Sequence, residues 1–194
     1  MLALAPNSAN VHNDCGNVLD AEGQYERAIW HYTRAIELAP GLVKPYNNRG
    51  CAYGRKGDYD RAICDFTKAI ELKPDFAQAY NNRGNAYNNM RDFGQAIRDY
   101  TKAIELKPDY AEAYYNRAYT CNDMGDFGRA IRDYTKAIEL KADYANAYHN
   151  RATAHFHLKE YDNAWADVKK CRQLGGTPNP GLVKTLIEAT GRTE

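Results

Sequence analysis

The sequence predicts an all-α protein, an α-solenoid of antiparallel helix pairs, and three observations lead to this prediction. The segment IRDYTKAIELK occurs at residues 97–107 and again, letter for letter, at residues 131–141. The offset of 34 residues between the copies also separates matching tyrosines, alanines and prolines elsewhere in the chain. Apolar residues recur with a helical period, and glycine or proline separates the periodic runs. One helix pair cannot bury its apolar face alone, so repeated pairs must stack.

The matching residues place five repeats in one frame. Each repeat is predicted to hold a helix A over roughly its first 14 positions and a helix B over roughly positions 18–31. A turn such as Lys56-Gly57-Asp58 joins the two helices, and proline followed by Asp or Gly separates one repeat from the next. The predicted repeats are residues 9–42, 43–76, 77–110, 111–144 and 145–178.

Both ends of the chain depart from this frame. The first residues, MLALAPN, align with IELAPG at the end of the first repeat, so residues 1–8 are predicted to be the remnant of a preceding helix B in a longer array. At the other end, Asn179 is a candidate N-cap and Pro180 the first residue of a short helix with an apolar stripe. Residues 179–194 are therefore predicted to form a capping helix over the last repeat. A free helix that binds a partner or a membrane is the alternative.

The repeats carry small and aromatic residues at fixed positions. Position 20 is alanine throughout, and positions 8 and 27 are mostly small, which lets the helices approach closely. Large aromatic residues at positions 4 and 24 fill the gaps. This pattern resembles the tetratricopeptide repeat family, and the resemblance implies a right-handed α-solenoid over about residues 9–174. The residues that carry it include Tyr46, Tyr80, Tyr114 and Tyr148 at position 4, Gly16, Gly50, Gly84, Ala118 and Ala152 at position 8, and Tyr32, Phe66, Tyr100 and Tyr134 at position 24.

Composition and missing motifs exclude several classes of function. The formal net charge is +1 without a basic block, so we expect no nucleic-acid partner. No run of about 18 apolar residues occurs, so we expect no membrane partner. Five cysteines without a CxxC pair favour a reduced, cytoplasmic protein. Common phosphate-binding and hydrolase motifs are missing, and His149, His155 and His157 lack nearby carboxylates, so we expect no enzyme activity, no cofactor and no metal site.

Asparagine is concentrated on one side of helix A. Fourteen asparagines fall in the five helix A segments, at positions 2, 5, 6, 9, 12 and 13. These positions span an arc of about 120° opposite the motif positions, so this face is predicted to point away from the core. The family resemblance implies that helices A line the concave surface of the array. The chain is therefore predicted to have an Asn-lined groove with aromatic residues toward its C-terminal end.

The groove is interpreted as a binding site for a polypeptide. Each asparagine costs helix stability of about 0.3–0.7 kcal/mol relative to alanine, and a function would explain why that cost is retained. An amide offers both donors and an acceptor, which suits a peptide backbone. A solvated face copied by duplication is the alternative. The predicted groove residues are Asn13, Asn17, Asn47, Asn48, Asn81, Asn82, Asn85, Asn89, Tyr115, Asn116, Tyr119, His149 and Asn150.

Two comparisons with known peptide-binding devices refine this interpretation. The asparagines at position 6 resemble the asparagine array in the repeats of O-linked N-acetylglucosamine transferase, whose amides hold the backbone of an extended polypeptide. The resemblance assigns this role to Asn48, Asn82, Asn116 and Asn150, whereas Asp14 in the first repeat departs from it. The carboxylate clamp of chaperone-binding repeats needs Lys at position 5 and Arg at position 6, and neither occurs here.

Arginine at position 7 and aspartate at position 23 occur together. Repeats 2–5 have both residues, whereas the first repeat has neither and carries Cys15 and His31 instead. This joint occurrence predicts an ion pair between helices A and B of one repeat, with pairing between neighbouring repeats as the alternative. Such a pair would set the register of the helices more than it would add net stability. The predicted pairs are Arg49 with Asp65, Arg83 with Asp99, Arg117 with Asp133, and Arg151 with Asp167.

These observations favour a scaffold or adaptor that binds an extended peptide or a partner protein in the concave Asn-rich groove. Two alternatives stay open. In the first, the chain is the recognition arm of a larger enzyme, truncated at Met1. In the second, the chain is an array that self-associates through an uncapped N-terminal repeat. The reading frame upstream of Met1 tests the first alternative. The dependence of the molecular mass on protein concentration tests the second.

Overall fold

The computed structural model describes residues 8–192, which form eleven α-helices and no strand, so the predicted all-α fold is confirmed. Residues 1–7 lie outside the described residues, and with them almost all of the predicted remnant helix. The contacts divide the described residues into an N-terminal part, up to residue 106, and a C-terminal part, from residue 107 onward. The helices are α1 (Ala9–Ala21), α2 (Tyr25–Leu38), α3 (Val43–Arg55), α4 (Tyr59–Leu72), α5 (Ala77–Asn89), α6 (Phe93–Leu106), α7 (Ala111–Asp123), α8 (Phe127–Leu140), α9 (Ala145–His157), α10 (Tyr161–Gln173) and α11 (Pro180–Thr190).

Helix pairs stack in the same way within each part. In the N-terminal part α1 packs on α2, α3 on α4 and α5 on α6, and the second helix of each pair packs on the first helix of the next. The helices α1, α3 and α5 also contact one another in that order, so they form one row. In the C-terminal part α7 pairs with α8 and α9 with α10, and α7 contacts α9.

The turn between helices A and B uses the same backbone conformation in every repeat. At position 15 the φ angle is 75° at Gly23, 79° at Gly57 and 78° at Gly125. Glycine has no Cβ and adopts this left-handed conformation at little cost. Arg91 and Lys159 occupy the same turn position with φ angles of 62° and 60°. An N-cap aspartate follows in several repeats; the Asp126 side chain, for example, accepts a hydrogen bond from the Arg129 backbone N–H.

Small residues allow the two helices of a repeat to approach closely. The alanines at position 20 are fully buried in all five repeats. Gly16, Gly50 and Gly84 face the aromatic ring at position 24 of their own repeat, and a Cβ placed on them would lie 2.5, 2.8 and 2.7 Å from a ring carbon. Nothing larger than a hydrogen atom fits there without movement of the ring. The aromatic ring and the glycine therefore act as a matched pair.

Helix α11 lies against α9 and α10. Leu182 and Leu186 are buried in a cluster with Val168, and Val183 packs against its edge. The Asn179 side chain accepts a hydrogen bond from the Gly181 backbone N–H at 2.7 Å, as expected for an N-cap. None of the described helices has the length and apolar character needed to cross a membrane.

Candidate functional site

Arginine and aspartate form the same pair in four repeats. In repeat 3, Arg83 Nε and Nη2 donate to the two carboxylate oxygens of Asp99, both at 2.8 Å. The other three pairs have the same two-bond geometry at 2.7–2.8 Å. Each pair joins helix A to helix B of one repeat. The arginine side chains are 14–18 % exposed and the aspartates 6–10 %, so the pairs are largely withdrawn from water.

Each arginine also reaches other neighbours. Arg83 Nη1 donates to Thr67 Oγ1 of the preceding repeat at 3.0 Å, and Arg49 contacts Thr33 in the same way. The Tyr80 ring lies 5.6 Å from the Arg83 guanidinium carbon, within range of a cation–π interaction. The arginine thus links three helices, and the sequence pattern did not predict its threonine contact between repeats.

The first repeat replaces this cluster with histidines. The Nδ1 atoms of His12 and His31 lie 3.1 Å apart, and the Trp30 ring packs edge-on against both imidazoles. One of the two nitrogens must carry the shared proton, so the contact requires at least one neutral ring. Burial, with smaller effects of His12 and Arg27, lowers the pKa of His31 below its ordinary value of 6.5.

We expect this histidine pair to make the N-terminal repeat sensitive to acid. Since the pKa of His31 is lower in the folded chain, the unfolded chain binds the proton more readily, and the stabilising contribution is fully present only above the unfolded pKa of about 6.5. The free energy of unfolding should therefore fall as the pH drops below that value. Urea unfolding at a series of pH values measures the effect. The Cys15→Arg/His31→Asp variant, which restores the residues of repeats 2–5, should lose part of the acid sensitivity; an unchanged pH profile would contradict the prediction.

The asparagines at position 5 are buried, which differs from the prediction that the whole Asn face points away from the core. Asn13, Asn47 and Asn81 are only 8 %, 3 % and 4 % exposed. Position 5 lies near one edge of the predicted arc, and the next repeat covers it. The carbonyl oxygens of Asn13 and Asn47 accept hydrogen bonds at 3.1 Å from the position-6 asparagine of that next repeat. These residues therefore join repeats rather than line an open surface.

The position-6 asparagines direct their donors into the fold. The Asn48 amide donates to Asn13 Oδ1 at 3.1 Å and to Asn17 Oδ1 at 2.9 Å. The Asn82 amide donates to Asn47 Oδ1 at 3.1 Å and to Cys51 Sγ at 3.4 Å. Both side chains are half-buried. Since their N–H groups are engaged, the carbonyl oxygen is what these residues can offer to a ligand.

The position-9 asparagines have the opposite orientation. Tyr32 donates its hydroxyl hydrogen to Asn17 Oδ1 at 3.0 Å, and Tyr100 donates to Asn85 Oδ1 at 2.8 Å. These contacts fix the carbonyl oxygen toward the core, which turns the amide N–H groups the other way. Helix α5 therefore carries an acceptor at Asn82 and a donor at Asn85, three residues apart on one helix face.

Repeat 2 interrupts this pattern. It has Cys51 at position 9 and Phe66 at position 24, so it has neither the amide nor the hydroxyl. A cavity of about 360 Å³ opens at this place in the N-terminal part. Its lining residues are Cys51, Gly54, Arg55, Tyr59, Phe66, Asn82, Asn85, Ala86 and Asn89. Both departures are visible in the sequence when the repeats are aligned position by position.

The predicted groove residues of the C-terminal part are mainly aromatic. The Asn150 amide donates to the Tyr115 hydroxyl at 3.0 Å, and the Tyr115 ring stacks on Tyr144 with 4.8 Å between centroids. Burial raises the pKa of Tyr115, although its hydrogen bond with Asn150 acts in the opposite direction. Tyr119 is 41 % exposed. His149 and Asn116 are half-buried, and burial lowers the pKa of His149.

Within the described residues, no group of three or more His, Cys, Asp or Glu side chains is arranged to hold a metal ion. The five cysteines are free thiols. Burial raises the pKa of the Cys51 thiol to about 11, so this residue is a neutral side chain at physiological pH.

Comparison with known protein structures finds many chains of the same fold. The crystal structure of MamA is 27 % identical, with 86 % of this chain and 91 % of that chain covered and a TM-score of 0.74. YrrB, described as a TPR protein with an unusual peptide-binding site, is 20 % identical, with coverage of 97 % and 94 % and a TM-score of 0.71. The first TPR of Spaghetti (RPAP3), bound to the HSP90 peptide SRMEEVD, is 27 % identical, with coverage of 64 % and 98 % and a TM-score of 0.59. No curated protein sequence matches the chain.

Two family models match the sequence. The model described as tetratricopeptide repeat matches residues 77–110 and 111–144, and the model described as TPR repeat matches residues 16–57 and 52–90. Together they extend from residue 16 to residue 144, which is well over half of the chain. The chain belongs to the tetratricopeptide repeat family.

Proposed function

We propose that this protein is an interaction scaffold that binds an extended polypeptide segment on the helix A face. The observation that carries the proposal is the opposed orientation of the amides in the N-terminal part. Position 6 offers carbonyl oxygens, and position 9 offers N–H groups held in place by tyrosine hydroxyls. In an extended chain, the N–H and C=O of one residue point to the same side. An adjacent acceptor and donor on the protein can therefore hydrogen-bond to the N–H and C=O of that residue without contacting its side chain.

Each part by itself offers a different surface for such binding. In the N-terminal part, α1, α3 and α5 form a row of amides for backbone recognition. In the C-terminal part, the stacked Tyr115 and the exposed Tyr119 supply aromatic surface, which favours contact with apolar or proline-rich side chains. The likeness to the first TPR of RPAP3, which was solved with a bound HSP90 peptide, supports a protein partner.

The sharpest test removes only the donors offered to the ligand. Peptides are first selected from a library of unstructured sequences by the wild-type protein, and uncharged ones are kept. The Asn17→Asp/Asn85→Asp variant retains the oxygen that accepts from Tyr32 or Tyr100 but loses both amide donors. A net hydrogen bond contributes about 0.5–1.5 kcal/mol, so the loss of two should weaken binding about tenfold or more.

The matched control makes the same chemical change outside the face. Asn163→Asp lies in the first turn of α10, where it removes a hydrogen bond to Glu160, and should bind the selected peptides as the wild type does. Measurements at high salt reduce the effect of the added charge. Equal affinity of the double variant and the control would refute backbone recognition through position 9. Alanine at position 6 is a weaker test, because it also removes hydrogen bonds between repeats.

A second candidate function is self-association through the first repeat, favoured by the exposure of Val18. Val18 at position 10 is 60 % exposed, whereas Ala52, Ala86 and Ala154 at the same position are at most 4 % exposed. Sedimentation equilibrium over a range of concentrations would detect a dimer, and Val18→Glu should abolish it. A mass that stays monomeric at all concentrations would remove this candidate.

A further inference from the structure

Repeat 2 differs from repeats 1 and 3 at three positions that face one another. Position 9 is Cys51 instead of asparagine, and position 24 is Phe66 instead of tyrosine. Position 12 is Gly54, where repeats 1 and 3 have Asp20 and Asn88. Each change removes polar atoms, and all three residues line the cavity of about 360 Å³. This volume is near the lower end of the range of about 300–1,000 Å³ that is typical of ligand pockets.

The most buried residues that line this cavity, Phe66 and Ala86, are apolar. Phe66 and Ala86 are buried members of one hydrophobic cluster, and Cys51 packs against it. The raised pKa of Cys51 keeps its thiol uncharged. A Cβ placed on Gly54 would meet no atom within 4 Å, so the space beside this glycine is open.

The rim of the cavity is polar, and some of its side chains already interact with other residues of the protein. Arg55 forms an ion pair with Asp20, which offsets the charge of the guanidinium. A ligand therefore needs no acidic group to bind at the rim. Asn82 and Asn85 stand at the edge with the acceptor and the donor described above. An apolar floor below backbone-binding amides fits one apolar side chain on an extended chain.

We propose that this cavity is a specificity pocket that takes a single apolar side chain, of leucine to phenylalanine size, from the bound polypeptide. The proposal rests on the proposed function, since the amides of Asn82 and Asn85 hold the backbone above the pocket. Recognition by the scaffold then has two components. The amides tolerate many sequences, and the pocket of repeat 2 requires an apolar residue at one position of the segment.

The repeats themselves supply a variant that closes the pocket. Cys51→Asn/Phe66→Tyr rebuilds the asparagine–tyrosine pair of repeats 1 and 3. Asn48 already donates to Asn17 in repeat 1, and Asn82 can donate to the new asparagine in the same way. A second variant, Gly54→Asn, fills the open space with the residue that repeat 3 carries. Gly94→Asn is its control, because Gly94 is an exposed helical glycine of α6 outside the pocket.

The experiment selects short random peptides displayed on phage against the full-length wild-type protein and then against the variants. Wild-type selections should share one apolar residue, and its replacement by alanine should weaken binding to the wild type about tenfold or more. The same replacement should change binding to Cys51→Asn/Phe66→Tyr or Gly54→Asn by less than about twofold. Circular dichroism melting verifies that the variants are folded.

The outcomes separate the pocket from the face. Peptides that bind through the amides but share no apolar residue would overturn the pocket and leave the proposed function standing. The pocket would also be overturned, and the proposed function left standing, if replacing the apolar peptide residue with alanine weakened binding equally for the wild type and both pocket variants. A selection that yields no peptide for the wild type would overturn the pocket and the proposed function together.

Discussion

Replacing Asp99 with alanine is expected to lower the free energy of unfolding by about 3 kcal/mol, one of the two largest effects that we predict. Asp99 accepts two hydrogen bonds from Arg83, and its side chain is only 9 % exposed. Removal of the carboxylate leaves the guanidinium charge 17 % exposed and without its counter-ion. The penalty of an uncompensated buried charge exceeds the net contribution of the intact pair.

Two comparisons make the Asp99 prediction specific. Glu105→Ala breaks a pair with Lys102 on the same helix, but that pair is about half exposed and should contribute less than about 0.5 kcal/mol. The double variant Arg83→Leu/Asp99→Leu removes both charges and should be more stable than Asp99→Ala. Urea unfolding measures all three changes. A loss below about 1 kcal/mol for Asp99→Ala would show that the arginine is adequately solvated without its partner.

Replacing Gly84 with alanine is expected to cost about 2 kcal/mol, because the new methyl group would overlap the Tyr100 ring. The ideal Cβ position lies 2.7 Å from a ring carbon. The ring must move, and its movement strains the hydrogen bond from the Tyr100 hydroxyl to Asn85. Repeat 4 shows the related arrangement, where Ala118 and Tyr119 replace the glycine and the asparagine. There the Tyr134 hydroxyl has no asparagine at position 9 to donate to, unlike Tyr32 and Tyr100.

Gly94→Ala is the matched control and should have the opposite sign. Gly94 lies in the first turn of α6, and an added Cβ would approach no atom closer than 3.8 Å. Alanine there reduces the flexibility of the unfolded chain and should stabilise the protein by about 0.5–1 kcal/mol. Thermal unfolding of both variants compares the two glycines directly. If Gly84→Ala were neutral, the close contact between glycine and ring would not restrict the repeat.

Much of the fold could be predicted from the sequence, because the same pattern of residues occurs in several repeats. The offset of 34 residues set the frame, and glycine at the turn position marked the boundary between helices A and B. The joint presence of Arg83 with Asp99, and of Cys15 with His31 in their place, predicted which side chains face each other. These relations join residues within one repeat, and the helical periodicity of the sequence is sufficient to predict them.

Only the tertiary structure decided how the asparagines are used. Periodicity placed Asn47 and Asn82 on one face, but it could not tell that the next repeat covers Asn47, since that depends on how closely adjacent helices A approach. The direction of each amide depends on a tyrosine 15 residues away or an asparagine 35 residues away. The cavity at Gly54 likewise exists because side chains from α3, α4 and α5 meet there with atoms missing. Sequence alone thus determined the helices and their repeat, while packing between repeats determined which polar groups are available to a partner.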